Sequence, residues 1–218
     1  MIKSGLKAVV FDIGGVVVGS PLEGIQDYEA ANGIPHNYIN IIIVRYGPKG
    51  AFQRLERGEL DMDAFYRAFE AELTDPANYP LYEEYLKARG KPVPPRPAQI
   101  KIDAVQLFAQ MMAKAATPNP HMIEAIQQLK ARGFKVAALT NNFQPSSSSS
   151  SPSVPSTNET GVPGLFDHFI ESSVEGLRKP DPAFFKIATD RLQVVPSECV
   201  FLDDLGMYAK EKKKKRHD

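Results

Sequence analysis

Residues able to do chemistry fall at a few places along this chain, each just past an apolar run or at a helix start. Asp12 closes KAVVFD (7–12), and Thr140 and Asn141 follow FKVAAL (134–139). Lys179 stands two residues before the Asp181–Pro182 pair, and Asp203 and Asp204 follow CVFL (199–202). Taken singly, each has a plain reading: a turn-forming Asp, loop polar residues, a solvated lysine. Two adjacent acids are different, because like charges side by side cost energy unless a cation offsets them. In open α/β sheets ligands bind beyond the carboxyl ends of the strands, which is where this set would lie.

The elements that must position these residues follow from hydrophobic pattern. KAVVFD, FKVAAL and CVFL are short apolar runs of the kind found in parallel sheets covered on both faces. Between the first and second, the texture is helical. Residues 22–32 read as a helix stopped by Gly33. Asp61 caps one in which Phe65, Phe69 and Leu73 recur every four residues, and residues 80–89 form another, with Pro80 first and Gly90 after its end. KPVPPRP (91–97) is an extended connector. Asn119 and Pro120 open a helix whose Met122, Ile123, Ile126 and Leu129 share a face, and Asp181–Pro182 open one running to about residue 192. This order predicts an α/β fold: a Rossmann-like, three-layer parallel-sheet core (1–19 and 111–206) with an α-helical cap inserted at 20–110. Residues 144–164, rich in Ser and Pro with little to bury, are expected to be disordered, and residues 207–218 form a basic tail.

Composition narrows the function classes. The 218 residues carry 26 basic and 26 acidic side chains, but without residues 210–218 the balance is 20 against 24. A mildly acidic body gives no electrostatic case for nucleic acid. The single cysteine, Cys199, excludes an intrachain disulfide and is expected in the core. No apolar run approaches the ~20 residues that span a bilayer. A cytoplasmic protein with no membrane partner is expected.

The chain resembles the haloacid dehalogenase-like hydrolase superfamily, in the branch with a helical cap after the first strand. Residues 11–18 resemble its first motif, LTNN (139–142) the second, RKPDPAFF (178–185) the third and FLDDLG (201–206) the fourth. HFIESSVEGLRKPDPAFFK (168–186) and SECVFLDDLG (197–206) are most similar to the phosphatase domain at the N-terminus of soluble epoxide hydrolases and to domains fused to acyl-CoA dehydrogenase-like proteins. The resemblance implies that Asp12 is a nucleophile forming an aspartyl-phosphate. It implies a magnesium ion held by Asp12, the carbonyl of Gly14 and Asp204. Thr140, Asn141 and Lys179 would grip the phosphoryl oxygens, with Asp203 orienting Lys179 or a metal-bound water. The implied partner is a small-molecule phosphate ester; a homo-oligomer is not indicated.

One position departs from the pattern. Phosphatases of this type usually carry a second Asp two residues after the nucleophile, and here that position is Gly14. General acid–base catalysis is worth ~10²–10⁴-fold, so its loss weighs most on poor leaving groups. The expected substrates are acyl, anomeric or aryl phosphates, unless an acid comes from the cap or solvent. Two other readings stand beside this one: a catalytically impaired binding or scaffold domain, and a hydrolytic dehalogenase, which needs no magnesium. Within the cap, Tyr28, Tyr38, Arg45, Tyr46 and Arg54 are candidates for substrate contact, although most of them are expected to be ordinary packing or surface groups, and INIIIVRY (39–46) is expected to be cap core. The family normally adds a helix and an edge strand after FLDDLG, so the C-terminal edge of the core is expected to be truncated, leaving CVFL at the sheet edge.

Overall fold

Alternation along the strands sorts the core into two layers. The computed structural model describes residues 5–144 and 161–206. In it β1 (Ala8–Phe11), β2 (Lys135–Thr140), β3 (His168–Glu171) and β4 (Cys199–Leu202) form a parallel sheet in the order β3-β2-β1-β4. Val9, Phe11, Val136 and Ala138 point to one face, where they pack with Ile126, Val162 and Phe166. Ala8, Val10, Ala137, Leu139 and Ile170 point to the other, against Phe184, Ala188 and Leu192. The period-two alternation of a strand thus feeds both faces of a three-layer core. Helix α7 (Pro120–Ala131) supplies Ile126 to the first face and α9 (Pro182–Leu192) covers the second.

The cap has its own core. Helices α1 (Pro21–Ala31), α2 (Tyr38–Tyr46), α3 (Ala51–Glu56), α4 (Met62–Thr74), α5 (Asn78–Lys87) and α6 (Ala104–Ala115) bury a separate cluster running from Ile25 to Met112. Stacked Phe65 and Phe69 lie at its centre with Phe108 edge-on to Phe65, which is why a four-residue aromatic spacing on α4 holds the bundle together. Asp61 caps α4 by accepting from the Ala64 amide at 2.7 Å. Chain leaves and re-enters the core through paired connectors: Gly19 N donates to Thr117 O (2.9 Å) and Asn119 N to Val17 O (2.8 Å). Helix α6 runs unbroken across residues 110 and 111, where the sequence pattern sets the cap boundary. No helix among the described residues is long and apolar enough to cross a membrane.

Several expectations need correction. Helix α5 starts at Asn78, so Pro80 is its third residue; a proline costs nothing there because the first-turn amides lack intrahelical partners anyway. Val162–Leu165, whose first three residues were assigned to the disordered segment, form a 3₁₀ turn that buries Val162 on the sheet, since its apolar side chain has a core to enter. Residues 145–160 of that segment, and the basic tail, lie outside the described residues. Cys199 is only half-buried, because β4 is an edge strand among the described residues, with Leu202 39% exposed. Strand β3 has no counterpart in the sequence reading.

Candidate active site

The strand order places the chemistry. From β1 the chain moves outward through β2 to β3 and then crosses to β4 on the other side of β1, which opens a crevice at the strand tips where the direction reverses. Phe11 is level with Ala138 and Leu202, so Asp12 emerges between the ends of both neighbouring strands. Its backbone amide is fixed by the carbonyl of Leu202 at 2.8 Å. The side chain of Asp12 is buried, and Oδ1 accepts from the Ile13 amide (2.7 Å). Burial raises the carboxyl to about 6, although Lys179 pulls the other way.

Lys179 is the positive centre of the site. It is 1% exposed, with Nζ 2.7 Å from Asp12 Oδ1 and 2.8 Å from Asp203 Oδ2. Its ammonium also lies 5.4 Å from the ring centre of Phe201. Burying an ammonium this deeply is costly, and the two carboxylates that face it offset that cost. Asn141 pins the lysine's backbone from both sides: Lys179 N donates to Asn141 Oδ1 (2.8 Å) and Asn141 Nδ2 donates to Lys179 O (3.3 Å). The Asn141 side chain, expected to grip phosphate, is therefore engaged in holding Lys179 in place. Asp203 likewise orients the lysine while its other oxygen accepts from the Leu205 amide at 2.8 Å.

One carboxylate oxygen from each of Asp12, Asp203 and Asp204 lies within 4.8 Å of the other two. Asp204 rests against Gly15, whose φ of +78° and missing Cβ leave room for that carboxylate. Burial, reinforced by the neighbouring charge of Asp203, pushes Asp204 above its ordinary value. Three acids crowded this closely, two of them with raised values, form a site whose repulsion a divalent cation relieves, and an all-oxygen donor set suits a hard one. The residues present thus fit a metal.

Above the cluster lies a cavity of about 640 Å³. Asp12, Gly14, Thr140, Asn141, Lys179 and Asp204 line its floor; the cap contributes Ile25, Ile43, Val44, Phe52 and Leu55. Every strand-tip residue picked out in the sequence meets here, with Asp203 buried just behind Lys179.

A model of the haloacid dehalogenase-like hydrolases matches residues 6–206. The chain belongs to that family. As a haloacid dehalogenase-like hydrolase it is 32% identical to mouse (Mus musculus) acyl-CoA dehydrogenase family member 10 over 204 residues, covering 92% of this chain and 16% of that protein. It is 27% identical to rat (Rattus norvegicus) bifunctional epoxide hydrolase 2 over 203 residues, covering 92% of this chain and 33% of that one. The chain thus spans a third or less of the length of these relatives. Among solved structures, a dehalogenase shares the fold at 18% identity and a TM-score of 0.54, covering 94% of this chain and 79% of that one. A Bacteroides thetaiotaomicron family enzyme in complex with magnesium and inorganic phosphate does so at 17% identity and 0.52, covering 94% and 88%.

In the cap of this family member the wall residues were the ones the sequence did not single out. Tyr28, Tyr38, Arg45, Tyr46 and Arg54 do not line the cavity. Tyr38 and Tyr46 spend their hydroxyls on the carbonyls of Leu73 and Glu72, and the hydroxyl of Tyr28 accepts from the Asp103 amide. Aromatic polarity in a small helical domain goes first to satisfying buried backbone. The charged groups that do line the wall are Glu56 of α3 and Arg178 of the core. Arg178 was marked only by its place before Lys179, and Glu56 carried no signal. Asn142, also on the wall, bonds Glu171, Ser172 and Ser173 and so ties the end of β2 to the end of β3.

Proposed function

We propose that this hydrolase is a magnesium-dependent phosphomonoesterase acting on substrates with activated, apolar leaving groups. The observation that carries the reading is the contact of the Asp12 carboxylate with the Lys179 ammonium, at 2.7 Å, on the floor of a largely apolar cavity, with Asp204 beside them and Asp203 behind the lysine.

Asp12 supplies an oxygen lone pair to phosphorus, forming an acyl-phosphate bond while the leaving-group oxygen departs with its bonding electrons. Water then attacks the same phosphorus, releasing inorganic phosphate and restoring the Asp12 carboxylate. Lys179 faces the charge that develops on the phosphoryl oxygens, and Thr140 adds a hydroxyl donor from the end of β2. Asp12 and Asp204, with the carbonyl of Gly14, would hold magnesium, which when bound offsets the repulsion between Asp12 and an anionic substrate. Asp203 keeps the lysine aimed at Asp12.

Gly14 has no proton to give, so the departing oxygen must already be a weak base. Apolar groups from the cap favour an aryl or similarly apolar body. Turnover of a phosphate-ester series spanning leaving-group basicity, with and without magnesium, tests this. A steep preference for weakly basic leaving groups that needs magnesium is expected. Magnesium-independent release of halide from a haloacid, without phosphatase turnover, would favour the dehalogenase reading instead.

A further inference from the structure

Two charged side chains on the cavity wall take no part in the chemistry above. Glu56 ends cap helix α3, and Arg178 immediately precedes Lys179 in the core. Arg178 Nε donates to Glu56 Oε2 at 2.6 Å, joining residues 122 positions apart. Their side chains are only 18% and 10% exposed. Two residues on, Gly58 has φ +72° and sits so close to the Ser173 carbonyl oxygen that a Cβ would come within 2.8 Å of it. The end of α3 is therefore seated on the core by a backbone approach and, beside it, a buried ion pair. The connectors at residues 17–19 and 117–119 join cap and core elsewhere.

This placement makes Arg178 a neighbour of two systems. On one side it meets the cap carboxylate; on the other it continues into Lys179, whose backbone Asn141 holds. We infer that Glu56 is a positioning residue: its ion pair with Arg178 latches the helical cap over the strand tips and steadies the segment that carries Lys179. The kinetic consequence rests on the phosphatase reading; the latch itself does not.

Physical chemistry gives the latch a signature. A buried pair gains little over two solvated ions, so closing is favourable without making opening prohibitive. Removing one partner leaves a desolvated charge unpaired in the closed form and drives it open. Removing both leaves none. The two single changes should therefore be worse than their combination.

The test uses the full chain and the variants Glu56→Gln, Arg178→Gln, the double Glu56→Gln/Arg178→Gln, and Arg178→Lys. Amide hydrogen exchange is followed without substrate in α3 and in the core helix α8 (Ser172–Glu175). Arg178→Gln, which leaves the carboxylate alone, should speed exchange there about tenfold, with β2 unchanged. The double variant should return most of the way to the parent. With magnesium and 4-nitrophenyl phosphate, kcat/KM should fall about tenfold in Arg178→Gln and recover in the double variant and in Arg178→Lys. Unchanged exchange in both single variants, or losses that simply add in the double, would overturn the latch. Should Arg178→Gln fail to fold, the double variant and Arg178→Lys leave no lone carboxylate, and their exchange relative to Glu56→Gln decides the same question. Absence of turnover in the parent would count against the phosphatase reading alone, since exchange still reads the latch.

Discussion

Asp204 and Gly15 share one small volume: the carboxylate of the first fills the space that a side chain on the second would need. The glycine is thus part of the acidic cluster without offering a ligand. Gly15→Ala should push Asp204 aside and also force a left-handed φ on a residue with a Cβ, a strain of about 1–3 kcal/mol. Magnesium affinity, followed by titration of the thermal unfolding temperature, should fall at least about tenfold, since a displaced ligand loses its bond to the ion. An unaltered titration would remove Asp204 from the metal site.

Gly14 tests the leaving-group reading in the opposite direction. Its φ lies outside the left-handed region, and a Cβ would meet only the Pro21 ring, at 3.3 Å, so a side chain fits if that ring gives slightly. Gly14→Asp should speed alkyl phosphate hydrolysis by about 10²-fold or more, with little gain on 4-nitrophenyl phosphate. Steady-state rates on the two substrates check this; an equal change on both would contradict it.

Lys179 holds two buried acids at once. Lys179→Met keeps the bulk but leaves Asp12 and Asp203 facing each other without a cation, and breaking a buried ionic group this way costs about 3–5 kcal/mol. Denaturant unfolding without metal should show that loss, together with loss of turnover. Added magnesium should restore part of the stability and none of the activity.

Glu29 gives a pH prediction from outside the active site, in the same direction as the raised Asp12. It is buried in the cap, and its two oxygens accept from the amides of Asn37 (2.6 Å) and Ile39 (2.8 Å) at the start of α2. Burial raises it from 4.5 to about 7, with those two bonds opposing. A folded-state value above the unfolded one means stability that is complete below about pH 4.5 and is lost as pH rises through about 7. The unfolding temperature should accordingly decline between pH 5 and pH 8. Glu29→Gln should lower it at pH 5, where one amide now faces an NH₂, and flatten the decline. A parent profile that rises across this window would refute the assignment.

The convergence of the strand-tip residues was legible in the sequence because strand tips are short-range information. KAVVFD and CVFL are level neighbours in the sheet, so the residues after them had to converge once the strands were recognised. Strand β3 escaped because only Ile170 of its four residues is buried, which leaves no alternating pattern to read. The cap wall escaped for a different reason. Which side of a helix faces the cavity depends on how the cap sits on the core, and that is set by pairs such as Glu56 and Arg178, whose members lie in separate parts of the chain. The hydroxyls of Tyr38 and Tyr46 serve the backbone of neighbouring cap segments, as packing residues do.

Asp12 should become phosphorylated in the course of each turnover. Acid quench during turnover of an aryl phosphate with magnesium, followed by peptide mass analysis, reads this directly. A phosphate adduct is expected on the peptide containing Asp12, absent when magnesium is withheld and absent in Asp12→Asn, which should also lack turnover. Parent-like turnover by Asp12→Asn, or a phosphate adduct on a different residue, would contradict it.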